Sequence, residues 1–209
     1  MNHEPPLFPM FLKLTGRNCV VVGGGQLAET KVESLLHAGA RVTVIAPEAT
    51  GKLSQLHQRG IIRWNSRAFD AGDLDGTWMA IAATSDDQTN EQVYRECERR
   101  GVLCNAVDQP ERCHFYFPAV VQRGDLQIAI STNGKSPSLA QRLRKELEAQ
   151  FGPEYQDWVR WLGEVRQSLM ARRLSFEVRK RLLAFVAGRE SFERWRRTRN
   201  SESSYREAA

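Results

Sequence analysis

The chain has 209 residues and is 41% hydrophobic, room for one large domain or two small ones with a sizeable core. No apolar run approaches the ~20 residues that span a bilayer, and "MNHEPPLFPMFLKL" lacks the basic-then-apolar order of a signal peptide, so a cytoplasmic protein without a leader is expected. The formal charge of +5 is uneven: residues 1–150 balance 17 basic against 17 acidic residues, whereas 151–209 hold 13 against 8, an excess that suits nucleic acid or an anionic small molecule.

In chain order, "NCVVV" (18–22) reads as a buried strand running into glycines, and 26–38 as a helix with Leu27, Val32, Leu35 and Leu36 at helical spacing, ended by Gly39. A second strand (40–47) stops at Pro47. A short helix (53–60), a third strand (61–64) and a nearly all-apolar fourth (77–84) follow. Residues 86–101 are helical, with acids early and arginines late as the helix dipole favours. "VLCNAVD" (102–108) is a fifth strand. This alternation predicts βαβ units and a parallel sheet.

After Pro110 the pattern changes. Residues 114–134 read as two strands joined by "RGD", taken as a turn and not as an adhesion signal. Ser136 caps, and Pro137 opens, a helix to about 151. Residues 153–200 look all-helical with breaks near Arg173–Leu174 and Gly188, and the tail from Arg199 is expected to fray. The expected architecture is α/β: a Rossmann-like parallel-sheet domain (1–113), a small α+β hairpin-and-helix module (114–150) and a helical C-terminal domain (151–209). Cys19, Cys97, Cys104 and Cys113 form no C-x-x-C pair. Cys19 and Cys104 fall in strands, as small core residues in a reducing compartment do.

The chemistry starts at "VVGGGQLAETK" (21–31). Gly23-x-Gly25-x-x-Ala28 fits the dinucleotide fingerprint: Gly23 for the tight turn, Gly25 for approach of a pyrophosphate, Ala28 for close helix packing. Strand before, helix after and a second strand at the right distance supply the context; a bare structural turn is the competing reading. Glu48, after Pro47, is either the ribose acid or a surface turn acid. No arginine follows strand two for a 2′-phosphate, which favours NAD over NADP. Thr84 and Ser85, at the carboxyl edge of strand four, either touch cofactor or belong with Asp86 to a helix cap.

Asp108, closing strand five at that edge, is a candidate general base or a loop-capping acid. His114 either titrates at the site or only starts the hairpin. No H-x-x-x-H or C-x-x-C pair exists, so no structural zinc site and no transition-metal cage are expected. Ser131–Pro137, with Thr132 and Lys135, is an anion-binding corner or a plain capped turn.

These residues together resemble the siroheme synthase N-terminal region family, precorrin-2 dehydrogenase/sirohydrochlorin ferrochelatase. The carriers are the triple glycine, "AATSDD-x-x-N", "N-x-V-D" and "S-T-x-G-x-S-P-x-L-A", from about Leu7 to Gln150 and more loosely beyond. The resemblance implies oxidation of precorrin-2 to sirohydrochlorin with NAD, and in many members insertion of Fe2+ to give siroheme. It implies an intertwined homodimer with sites between the NAD domain and the dimerisation module. It makes Asp108 the essential aspartate of both activities, Gln26, Leu27, Pro47 and Glu48 cofactor positions beside Gly23, Gly24 and Gly25, and Thr132 the place where some members carry a phosphorylatable serine. Arg112, His114, Arg123, Thr132 and Lys135 are then candidates for the anionic tetrapyrrole. The basic tail either closes over substrate or only solvates itself, and Trp158, Trp161 and Trp195 are read as packing. No methyltransferase region follows, so a separate uroporphyrinogen methyltransferase is expected upstream. The rivals are a dehydrogenase with a separate chelatase, an NAD-sensing DNA-binding regulator and a cofactor-gated scaffold. The regulator is disfavoured because 175–188 carries a packing face and not base-reading side chains.

Overall fold

The structure, a computed structural model, describes residues 5–207, with side chains to residue 199. It divides into two compact units, Met1–Phe117 and Pro118–Ala209.

The first unit is a five-stranded parallel sheet. Its strands are β1 (Asn18–Val22), β2 (Arg41–Ile45), β3 (Arg63–Asn65), β4 (Met79–Ala82) and β5 (Leu103–Ala106), in the order β3-β2-β1-β4-β5. Helices α1 (Gln26–His37), α2 (Gly51–Gln58) and α3 (Asp87–Arg100) connect them, as in a Rossmann-like fold. Alternation explains the unbroken apolar runs. Cys19 and Val21 of β1 and Met79 and Ile81 of β4 face one helical layer, where Ala28, Val32, Leu35 and Leu53 pack. Val20, Val22, Ala80 and Ala82 face the other, with Val93, Cys97, Cys104 and Ala106. A strand covered on both faces has no polar side to show. Burial pushes the Cys19 thiol up to about 11, and hydrogen bonding with the Cys97 thiol, together with burial, pushes the Cys104 thiol upward as well, so both stay protonated.

Three expectations need correction. Leu27 is 55% exposed; the buried face of α1 is Ala28, Val32 and Leu35, at i, i+4 and i+7. The second helix starts at Gly51 because the Thr50 hydroxyl caps it by accepting from Leu53 N–H (3.3 Å). The third strand starts at Arg63: Gly60 turns with φ +69° and Ile61 N–H still bonds back to Leu56 O (3.0 Å), so two residues are spent leaving the helix.

The chain after β5 folds back along it. His114 N–H donates to Cys104 O (2.8 Å) and Asn105 bridges Cys113, which keeps this segment in the first unit.

The second unit contains the hairpin β6 (Ala119–Arg123) and β7 (Leu126–Ile130), turned at Gly124–Asp125, then α4 (Pro137–Gln150), α5 (Glu154–Met170), α6 (Phe176–Val186) and α7 (Arg189–Glu207). Ser136 caps α4 and Ser175 caps α6. Trp158 is buried among Trp161, Phe192 and Trp195, the packing role expected of the tryptophans. Helix α7 runs to Glu207, through the segment expected to fray; 208–209 lie outside the described residues. Among the described residues no helix is long and apolar enough to cross a membrane.

Candidate functional site

In a sheet of this order, the chain leaves the neighbouring strands β1 and β4 in opposite directions, toward β2 and β5, and this opens a crevice at the carboxyl ends of the strands. The glycine corner lies at that edge. Gly23 has φ +122°, and a Cβ there would stand 2.3 Å from Ala83 O, so β1 can reach the β4 loop only through glycine. A Cβ on Gly24 would strike Glu48 O at 1.9 Å. Gly25 is different: its Cβ would meet nothing within 4 Å. It is the N-cap of α1 and offers no capping side chain. The first helical bond is Glu29 N–H to Gly25 O (3.0 Å), so the amides of Gln26, Leu27 and Ala28 have no helix partner. Open space, unpaired amides and the positive end of a helix dipole together fit a diphosphate.

An acid in that first turn works against an anion, and the fold neutralises it. Glu29 accepts from the Thr50 hydroxyl (2.7 Å) and lies 3.5 Å from the Lys52 ammonium, which also pairs with Glu33. Pro47 and Glu48 are exposed on the β2–α2 loop. That loop is braced by Ser66 Oγ to Pro47 O (2.9 Å), Trp64 Nε1 to Ala46 O (3.0 Å) and Thr50 N–H to Gly24 O (2.9 Å).

Thr84 has its polar atoms committed. Its hydroxyl lies 2.8 Å from Asn90 Oδ1 and 2.9 Å from Asp86 O, and Asn90 Nδ2 donates to Thr84 O (3.1 Å). The cap of α3 is Asp86, accepting from Thr89 N–H (3.0 Å). Asn90, only 3% exposed, is what holds the β4 loop, a role its place in "AATSDD-x-x-N" did not reveal. Asn90→Ala is expected to cost about 2 kcal/mol, the order seen when a buried hydrogen-bonding group is orphaned. Thermal melting checks it, and an unchanged Tm would mean water replaces the amide.

Asp108 is exposed on the turn that ends β5. Val107 N–H continues the sheet to Ala82 O (2.9 Å), Gln109 N–H closes the turn on Ala106 O (3.2 Å), and Asp108 between them has φ +61°. Left-handed backbone is tolerated by Asp and Asn better than by other L-residues. Two braces hold this turn against α3. Arg112 pairs with Asp87 (2.6 Å) and Glu91 (2.6 Å), and Gln109 also donates to Asp87 (2.6 Å). The Arg112 guanidinium holds Asp87 below the usual carboxylate range. His114 Nδ1 accepts from Cys104 N–H (3.0 Å), which places the ring proton on Nε2, 2.5 Å from Glu98. Arg112 and His114, expected to touch substrate, thus spend their polar atoms inside the unit.

Lys31 of α1 was not singled out by its sequence position. Half-buried, it sits 3.8 Å from the Phe117 ring centroid and within electrostatic reach of Asp108 and Cys113.

In the second unit, Thr132 Oγ1 accepts from Ser136 N–H (3.1 Å) and Lys135 is exposed in the turn before α4. Arg123 is spent on carbonyls: Phe151 O (2.9 Å), Glu148 O (3.2 Å) and Gln122 O (2.9 Å). Among the described residues, no three His, Cys, Asp or Glu side chains gather to hold a metal.

A family model described as putative NAD(P)-binding matches residues 10–119, more than half the chain, and one described as sirohaem biosynthesis protein central matches 123–150. The chain belongs to the siroheme synthase N-terminal region family. It is 42% identical over 167 residues to siroheme synthase 1 of Serratia proteamaculans, covering 78% of this chain and 35% of that one. With the siroheme synthase of Photorhabdus laumondii it shares 38% over 172 residues, covering 82% and 37%. The chain therefore spans about a third of the length of these family relatives. The solved structure of SirC, a precorrin-2 dehydrogenase, superposes with a TM-score of 0.76 at 26% identity, covering 88% of this chain and 91% of that one.

Proposed function

We propose that the chain is an NAD-dependent dehydrogenase that oxidises precorrin-2 to sirohydrochlorin in siroheme biosynthesis. The observation that carries this reading is the pairing of an open, uncapped Gly25 corner with an exposed aspartate, Asp108, at the carboxyl edge of one sheet. The likeness to SirC along nearly its whole length supports the choice of reaction.

The amides of Gln26, Leu27 and Ala28 bind the cofactor diphosphate, and exposed Leu27 offers apolar contact. Glu48 and the Pro47 loop take the ribose. The β2–α2 loop has no arginine for a 2′-phosphate, and Lys52 is tied to Glu29 and Glu33, so NAD is the cofactor of this reading. NAD supplies the hydride acceptor. Asp108 accepts the proton released as the macrocycle loses its two hydrogens. Arg112 and His114 hold the Asp108 turn and do not bind substrate.

Ferrous-iron insertion into the product is the second activity we assign. Fe2+ is a substrate there, and Asp108 is the carboxylate that takes pyrrole protons. Thr132 and Lys135 remain substrate-binding candidates of the second unit. A homodimer in the cytoplasm completes the reading.

Anaerobic incubation of enzymically generated precorrin-2 with NAD, followed by absorbance, tests it. Sirohydrochlorin above the uncatalysed rate is expected, then siroheme on adding Fe2+. Sirohydrochlorin alone leaves a dehydrogenase that passes its product to another chelatase. No NAD-dependent change beside an active control sinks the reading.

A further inference from the structure

A substrate with many carboxylates needs cations near the reacting carbon, and Arg112 is already spent on Asp87 and Glu91. Lys31 is not spent. It lies four residues after Leu27, hence on the same face of α1. Its ammonium rests on Phe117, which Phe115 holds edge-on at 5.5 Å. Among the described residues it forms no hydrogen bond and closes no ion pair. Asp108 is near enough to be felt but does not close on it. Burial pushes Lys31 below the ordinary lysine value, while Asp108 and Cys113 oppose that shift.

A half-buried ammonium loses hydration, and one aromatic face replaces only part of it. A methionine would fill the same space without that cost. The charge therefore needs an account outside the packing of the unit.

We propose that Lys31, seated on the Phe117 ring with its three donors unspent, receives a carboxylate of the anionic substrate beside Asp108. This rests on the tetrapyrrole reading above. Lys31 then separates two negative charges, the Asp108 carboxylate and the ligand's, and fixes the macrocycle edge relative to the base. A pure counter-ion of Asp108 would be drawn into contact with it; here the ammonium stands on the ring with its donors free.

The test uses the full chain and two probes measured separately. Uroporphyrin, a stable tetrapyrrole octacarboxylate, is followed by quenching of tryptophan fluorescence; NAD is followed by calorimetry. Lys31→Met is expected to weaken uroporphyrin about tenfold, the order expected for losing a partly desolvated charge contact. Lys31→Arg keeps most of the affinity, both variants bind NAD as the parent does, and neither loses thermal stability. In turnover, KM for precorrin-2 rises in Lys31→Met by a similar factor while kcat changes little. Unchanged uroporphyrin affinity and KM with a fallen kcat would overturn the proposal, because Lys31 would then act through Asp108. Joint loss of Tm and NAD affinity would overturn it as well, by making Lys31 a packing residue. The outcomes separate from those of the parent reading. A wild-type chain that binds uroporphyrin through Lys31 but oxidises no precorrin-2 removes the dehydrogenase reading and leaves the carboxylate contact. A wild-type chain that turns over precorrin-2, with Lys31→Met matching its KM, removes the contact alone.

Discussion

Gly25→Asp is expected to abolish dinucleotide binding while leaving the first unit at least as stable. The two effects separate because Gly25 has ordinary extended backbone (φ −81°, ψ −174°) and open space where a Cβ would go. Aspartate at an N-cap accepts from the first-turn amides, and capping side chains stabilise helices by about 1 kcal/mol. Those are the amides to which the proposed function assigns the diphosphate. A carboxylate ~4 Å from a phosphate charge costs about 4 kcal/mol at an effective dielectric constant near 20. Affinity for NAD should therefore fall at least about a hundredfold, since each 1.4 kcal/mol is a factor of ten. Calorimetric titration and a melting curve on the same sample check both halves. Gly23→Ala is the contrasting control. Its Cβ would stand 2.3 Å from Ala83 O in left-handed backbone, so it loses stability first and binding only as a consequence. Wild-type NAD affinity in Gly25→Asp would remove the corner from the site.

Asp108→Asn is expected to lower turnover of precorrin-2 by about 10²–10⁴, the usual loss on removing a general base, with NAD affinity within about twofold of the parent. Asparagine is nearly isosteric and also tolerates the φ of +61° found there, so Tm should hardly move. Asp108→Ala carries an extra backbone cost of about 1–2 kcal/mol in the left-handed region, so the Asn variant isolates the carboxylate from the turn. Initial rates at saturating NAD make the comparison. Parent-like kcat in Asp108→Asn would end the role of Asp108 as base. If iron insertion runs through the same carboxylate, chelation of supplied sirohydrochlorin falls in the same variant.

Much of this molecule is local. Strand runs such as "NCVVV", the glycine corner, the capped start of α4 at Ser136 and Pro137, and the break at Gly188 are recorded in neighbouring residues, because hydrogen bonding and side-chain direction repeat over two to four positions. Where such reasoning slipped, the missing signal was also short in range: a Thr50 cap upstream of α2, and two residues used to leave that helix before β3.

The amino-acid sequence by itself thus determined the alternation of strands and helices, the place of the glycines at a strand end and of Asp108 at another, and the family. It could not say which cations were free, because a long side chain chooses its partner in space. Arg112 finds Asp87, 25 positions away, and His114 finds Glu98 across β5 and α3. Nor could it show that Leu27 faces outward, or that Lys31 rests on Phe117, since those follow from how α1 lies on the sheet and from a segment that returns along β5. Only the tertiary structure decided these, because the energy of a charge depends on what surrounds it after folding, and its sequence neighbours are seldom what surrounds it.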